Sequence, residues 1–233
     1  GNTNTVDLLC DSTGTSGAFR MQTGSSTESA SGDISFTVGD AATVAGNIAF
    51  VAGSSIEGTG GSVSFVSGAS AELASGVVEF ETADSIEGSS GDIQLSTGNS
   101  NQGPTGRIRL ATGNSAKTSG GDISVEVGSS GSGSGGSVIV AAGDTSGEGA
   151  TGGSISISAG SSINDQSGVG GSISILSGSA LGATGGSISI TSGRSNQFTS
   201  GSATLATQNA GNSGSSGAIE ISTGFSLGAS SGS

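Results

Sequence analysis

The chain has 233 residues, a formal net charge of −13 and only five lysines and arginines. Nucleic acids and anionic membrane surfaces are bound by clustered cations, so this charge balance argues against both as partners. The sequence has no histidine, one cysteine and no apolar run of about 18 residues. Histidine-based catalytic or metal sites, cysteine metal clusters and membrane insertion are therefore not expected.

Residues 1–16 hold a shortened version of the pattern that fills the rest of the chain. In the stretch TVDLLCDS, Val6 and Leu8 stand at alternate positions, which predicts an N-terminal partial coil over residues 1–16. Cys10 is the only cysteine. A lone thiol of this kind usually packs as a small apolar side chain.

From Gly17 onward, a repeat of mostly 15 residues fills the chain. Each copy starts with a glycine, called here the anchor, and has apolar residues two and four positions later. The seventh position after the anchor, called here the closing position, is a glycine in most copies. The fourteen anchors are Gly17, Gly32, Gly46, Gly61, Gly76, Gly91, Gly106, Gly121, Gly136, Gly153, Gly171, Gly186, Gly201 and Gly217. We expect one continuous repeat array over residues 17–233.

The two apolar slots are apolar in all fourteen copies. The pairs are Phe19/Met21, Ile34/Phe36, Ile48/Phe50, Val63/Phe65, Val78/Phe80, Ile93/Leu95, Ile108/Leu110, Ile123/Val125, Val138/Val140, Ile155/Ile157, Ile173/Ile175, Ile188/Ile190, Ala203/Leu205 and Ile219/Ile221. Apolar residues at alternate positions are typical of a strand with one buried face, and stacked copies can share a core. The sequence predicts an all-β fold, a flattened parallel β-solenoid (β-helix) of about 14 coils of about 15 residues.

Two further columns follow from this period. Phe36, Phe50, Phe65 and Phe80 share one slot, which predicts an internal ladder of stacked rings. A small residue stands two positions after the closing position, and we expect this column to face the apolar side chains across a thin coil. The corner glycines are expected to supply backbone with positive φ.

Three carboxylates share a loop slot in consecutive copies, namely Glu57, Glu72 and Glu87. Stacked like charges form a solvated stripe that salt screens, and this interpretation needs no ligand. The alternative is a column of carboxylates bridged by Ca²⁺, a cation that prefers oxygen ligands. No other cofactor is expected. No carboxylate pair lies in an apolar setting that would separate their pKa values, so we do not expect an enzyme.

A regular hydroxyl patch covers four successive copies in the C-terminal half of the chain. It consists of the outward strand positions Ser154, Ser156, Ser172, Ser174, Ser187, Ser189, Ser202 and Thr204. A flat array of small hydroxyl groups is the kind of surface that an ice-binding protein presents, although serine lacks the methyl group of threonine.

The array has no polar cap at its C-terminal end, because Gly232 is the anchor of a further copy. An open end of a stacked sheet recruits partners. We therefore expect end-to-end self-association, or membership of a longer chain.

The GGSISI-x-x-G-x-S unit resembles the Gly/Ser-rich repeats of cell-surface and secreted proteins of diatoms and other algae. The 15-residue period is also similar to that of some antifreeze solenoids, whose Thr-rich motif is missing here. The first resemblance implies an extracellular or cell-surface location and a structural, wall or appendage role.

Three functions remain open from the sequence. The first is a non-enzymatic structural repeat protein, a segment of an extracellular rod, fibre or cell-surface appendage. The second is an ice-binding protein that uses the hydroxyl patch. The third is an adhesin stalk or a carbohydrate-binding protein, with a polysaccharide surface as its partner.

Overall fold

A computed structural model of the chain describes residues 16–163, 167–228 and 230–232. The chain falls into two units, Gly1–Ala111 and Thr112–Ser233. Within the described ranges there is neither a helix nor a strand, and the backbone is irregular throughout. The prediction of an all-β, flattened parallel β-solenoid is therefore wrong. The predicted N-terminal partial coil, with Cys10, lies outside the described residues except for its last position.

The alternating segments fail to form strands because they are not paired through their backbones. The few backbone hydrogen bonds among the described residues join the ends of single loops, and none forms a ladder between successive segments. Each segment brings only two bulky apolar side chains in a chain with 47 glycines. Ordering glycine is entropically expensive, and each new pairing would also have to close a long loop.

The period survives in the position of the bends. The chain bends at the same place in successive loops, over residues 27–29, 42–43, 56–58, 71–73, 86–88, 101–103, 116–118 and 131–133, and again at 181–183, 196–198 and 227–228. The segments between these bends, which carry the paired apolar slots, have no regular structure. The sequence period is thus expressed as a series of loops rather than as a stack of strands.

The bends are held by the small residues that follow the closing position. The Oγ of Ser55 accepts a hydrogen bond from the amide of Gly58 at 2.8 Å, and the Oγ of Ser70 accepts one from the amide of Leu73 at 2.9 Å. The same bond, from an amide three residues further on, is made to Ser26, Ser85, Ser100, Ser115, Ser130 and Ser195. The expectation that this column faces the apolar side chains is wrong for these serines, because their hydroxyls bind their own loop.

Some loops are also closed by a backbone bond between the anchor glycine of one repeat and the closing glycine of the repeat before it. The amide of Gly61 donates to the carbonyl of Gly53, and the amide of Gly76 to that of Gly68, both at 2.9 Å. The same bond, at the same length, joins Gly153 to Gly143, Gly171 to Gly160, Gly186 to Gly178 and Gly201 to Gly193. We call these six repeats closed, and the others open.

Closure follows the residue at the sixth position after the anchor, just before the closing position. In the six closed repeats that residue is alanine or serine: Ala52, Ser67, Ala142, Ala159, Ser177 and Ser192. In the open repeats it is threonine or valine: Thr23, Val38, Thr82, Thr97, Thr112, Val127, Thr207 and Thr223. In closed repeats, a Cβ atom added to the anchor glycine would contact the backbone of the closing glycine. In open repeats, it would instead contact a methyl group of the residue at the sixth position. The branched side chain therefore keeps the two backbones apart.

The loop between Gly143 and Gly153, the longest loop whose residues are all described, contains a tight turn. Between Gly143 and Gly153, the amide of Ala150 donates to the carbonyl of Gly147 at 3.1 Å. Gly149, at the third position of this turn, has a φ of 70°. It is the one described residue with positive φ, so the expectation that corner glycines in general adopt this conformation is wrong.

No hydrophobic core forms among the described residues, because none of their side chains is buried. The chain exposes 23231 Å² of surface. A folded monomer of 21.6 kDa would expose about 9,000 Å² and the extended chain about 31,000 Å². The apolar side chains of the paired slots thus remain largely in contact with water.

Candidate functional site

Three phenylalanine rings from successive repeats form a row in the described part of the chain. The ring centroids of Phe50 and Phe65 are 6.0 Å apart at an interplanar angle of 86°, and those of Phe65 and Phe80 are 6.1 Å apart at 81°. Such edge-to-face pairs are favourable beyond simple burial. The predicted ring ladder is confirmed for these three residues. Phe36 makes no recorded ring contact with them.

The row is exposed, which contradicts the expectation that it lies inside a core. Phe50, Phe65 and Phe80 are 62%, 57% and 67% exposed. The aliphatic partners two residues before each ring, Ile48, Val63 and Val78, are about half exposed. We call these six side chains the aromatic face. It is apolar and carries no charge of its own.

The eight residues of the predicted hydroxyl patch are all exposed and all described. None of their hydroxyls makes a recorded hydrogen bond with a described residue, so they are free to bind water. The segments that carry them are irregular, and the patch is therefore not presented by a flat sheet.

Glu57, Glu72 and Glu87 each lie in a serine-held bend, one residue before the amide that donates to the serine. All three side chains are exposed. The described residues contain no group of three or more carboxylate, histidine or cysteine side chains that could hold a metal ion. The structure does not bring the three glutamates together, and the calcium site stays a prediction without support from their positions.

An open cleft lies between the first two repeats and was not predicted from the sequence. It has a volume of about 520 Å³ and is lined by Arg20, Met21, Gln22, Thr23, Asp33, Ile34 and Ser35. Arg20 and Asp33 bring opposite charges to it, but all the lining side chains except Thr23 are exposed. Such a cleft has no enclosed polar group that could orient a ligand.

The sixth position was also missed by sequence reasoning, although a signal for it was present. Its residues are only Ala, Ser, Thr or Val, a narrower choice than at the neighbouring outward slots. A search for apolar residues at alternate positions treats the sixth position as an ordinary strand position. It therefore does not distinguish branched side chains (Thr, Val) from unbranched ones (Ala, Ser).

The chain matches no family model, no curated protein and no solved structure. None of the described residues belongs to a helix that is long and apolar enough to cross a membrane.

Proposed function

We propose that this chain is a non-enzymatic structural repeat protein, a segment of extracellular or cell-surface material. The observation that carries the proposal is the repetition of one loop. The same serine-to-amide bond recurs in eight repeats, and the same glycine closure in six. A chain that repeats one local geometry without a shared reactive site is suited to giving length, spacing or a display surface.

The extracellular location rests on the resemblance of the GGSISI unit to algal surface and secreted proteins. The composition is compatible with that setting, because the net charge of −13 favours solubility and the chain has few charged groups to disturb packing between neighbours. The proposal concerns the type of role, and it leaves the composition of the surrounding material open.

Electron microscopy of the purified chain, over a range of concentrations, tests this function. The expected result is extended assemblies that become longer as the concentration rises. Well-dispersed particles of 21.6 kDa at every concentration would overturn the proposal.

Ice binding is the second candidate, and the exposed, unbonded hydroxyls of the patch favour it. Thermal hysteresis of the purified chain is the direct measurement. Under this alternative, replacing Ser156, Ser174 and Ser189 by lysine abolishes the activity, because a bulky charged side chain prevents close contact with the ice surface. The structural function predicts no thermal hysteresis in either the parent chain or the variant.

A further inference from the structure

We propose that the glycine closure is a latch that sets the register of two neighbouring repeats, so that side chains in equivalent slots touch only where the latch is shut. The latch acts within one chain and is therefore independent of the proposed function. Two observations from different parts of each repeat coincide, namely backbone closure and ring contact. Each junction between two repeats is named here by the anchor glycine that begins the second repeat.

Ring contact occurs across both closed junctions that have a phenylalanine on each side. Phe50 and Phe65 belong to the repeats that meet at the closed junction Gly61, and their ring centroids are 6.0 Å apart. Phe65 and Phe80 belong to the repeats that meet at the closed junction Gly76, and their ring centroids are 6.1 Å apart. In both cases the closing hydrogen bond is 2.9 Å long.

The open junction Gly46 shows that equivalent slots alone do not bring two rings together. Phe36 and Phe50 occupy the same slot on its two sides, yet they make no recorded ring contact. A Cβ added to Gly46 would lie 3.0 Å from the Cγ1 of Val38, the branched residue at the sixth position. A branched residue at this position thus accompanies the loss of both the closure and the ring contact.

Closure, in contrast, does not need rings. The closed junctions of the second unit are Gly153, Gly171, Gly186 and Gly201, and the ring slots on their two sides hold only valine, isoleucine or leucine. Their closing bonds have the same length, 2.9 Å, as the bond at Gly61. Closure therefore occurs with and without rings, whereas ring contact occurs only with closure. We infer that closure is the cause and ring contact the consequence.

The physical reason is the length of chain between the two rings. Phe50 lies three residues before Gly53, and Phe65 lies four residues after Gly61. A bond between these two glycines shortens the connection between the rings from 15 residues to about 8, which lowers the entropic cost of bringing them together. An edge-to-face pair is a weak interaction, so this reduction decides whether the rings stay in contact.

Nuclear Overhauser effects between ring protons in the full chain test the latch. Ala52→Thr should open the junction Gly61 and weaken the cross-peaks between Phe50 and Phe65 at least about threefold, because the connection becomes longer. The cross-peaks between Phe65 and Phe80 lie across the unchanged junction and should keep their intensity. Ala52→Ser is the matched control, since an unbranched residue should leave both sets of cross-peaks unchanged.

A second variant opens the same junction by another route. Gly61→Pro removes the N–H group that donates the closing bond, so this bond cannot form with any residue at the sixth position. It should weaken the cross-peaks between Phe50 and Phe65 as Ala52→Thr does. Cross-peaks of parent intensity in the proline variant would overturn the latch, whatever the threonine variant shows.

Removing the middle ring tests the direction of cause. Leucine occupies the ring slot beside a closed junction elsewhere, as Leu205 does at Gly201, so Phe65→Leu should fit the repeat. The amides of Gly61 and Gly76 should keep their hydrogen-exchange rates within about twofold, because closure does not need rings. Faster exchange of both amides would show that the rings hold the closures, and it would overturn the inference. None of these readouts depends on assembly, so the latch and the proposed function can fail separately.

Discussion

Closed and open repeats have nearly the same sequence, yet only the closed repeats join their two glycine backbones by a hydrogen bond. The closed repeat that ends at Gly61 has Ala52 at the sixth position, and the open repeat that ends at Gly91 has Thr82 there. A Cβ at Gly61 would lie 3.3 Å from the amide nitrogen of Gly53, whereas at Gly91 it would first meet the Thr82 methyl group at 3.5 Å. One branched side chain thus decides whether two loop ends come into contact.

This comparison teaches that closure in this protein is a steric property of a single slot. The serine bonds that hold the bends occur in both classes, as Ser55 in a closed repeat and Ser100 in an open one show. The bend and the closure are therefore separate devices. The bend depends on a hydroxyl two residues after the closing position, and the closure depends on the absence of a branch just before it.

The largest effect is expected from adding a methyl group inside a closed repeat. In Gly153→Ala, the new Cβ would lie 3.1 Å from the amide nitrogen of Gly143 and 3.2 Å from the Cβ of Ala142. Relieving this overlap should destabilise the closure by about 2 kcal/mol. This exceeds the net value of the single hydrogen bond that closes the loop, so the residue 153 amide should lose its protection entirely and exchange about tenfold faster, as measured by NMR. Gly143→Ala is the matched control, since a Cβ there meets nothing within 4 Å. Equal acceleration in both variants would contradict the steric explanation.

Converting a closed repeat into an open one should have the next largest effect. Ala52→Thr introduces the branch found in open repeats, and it should remove the hydrogen bond from Gly61 to Gly53. The loss should be about 1 kcal/mol, close to the net value of one hydrogen bond, so the Gly61 amide should exchange about fivefold faster. Ala52→Ser keeps the side chain unbranched and should leave the exchange rate nearly unchanged. Slow exchange in the threonine variant would show that the sixth position does not control closure.

The reverse change should create a closure where none exists. Thr82→Ala removes the methyl group that stands between Gly91 and the closing position, so the Gly91 amide should gain protection. Ala83 occupies that closing position instead of glycine, and we expect a gain of only about 0.5–1 kcal/mol. Thr97→Ala is the companion variant, because its closing residue is Gly98. Protection in neither variant would limit the rule to repeats that are already closed.

The smallest effect is expected from the bend. Ser55→Ala removes the acceptor of the 2.8 Å bond from Gly58, in a loop that is exposed to water. The expected loss is about 0.5 kcal/mol, seen as a roughly twofold faster exchange of the Gly58 amide. Ser54→Ala, one residue earlier, removes a hydroxyl with no recorded bond and serves as the control. A large effect on the Gly61 amide would show that the bend and the closure are coupled rather than separate.

Sequence reasoning identified the repeat period and the ring row but misjudged what surrounds the rings. The row of Phe50, Phe65 and Phe80 follows from a shared slot at a constant period, and the rings do touch. Their expected burial does not occur, because burial needs backbone pairing between segments that are distant along the chain. Apolar residues at alternate positions indicate that a segment could line a core. They do not indicate whether another segment of the chain pairs with it.

The candidate sites show the same limit. Glu57, Glu72 and Glu87 lie in equivalent bends of three repeats, and the described residues hold no group of three carboxylates that could bind a metal ion. Residues such as Ser156 and Ser174 are exposed, as are nearly all described residues, so their exposure does not distinguish the patch from its surroundings. Whether they form a flat surface depends on sheet formation, which the segments carrying them do not achieve.

The sequence by itself determined the period and the positions of the bends, because both depend on residues that are close together along the chain. It also excluded histidine chemistry, because the chain has no histidine. Only the tertiary structure decided which loops close, which rings touch and how much apolar surface stays in water. These outcomes depend on contacts between backbones and side chains from different repeats. There, one methyl group such as the Cγ2 of Thr82 outweighs a pattern that all the repeats share.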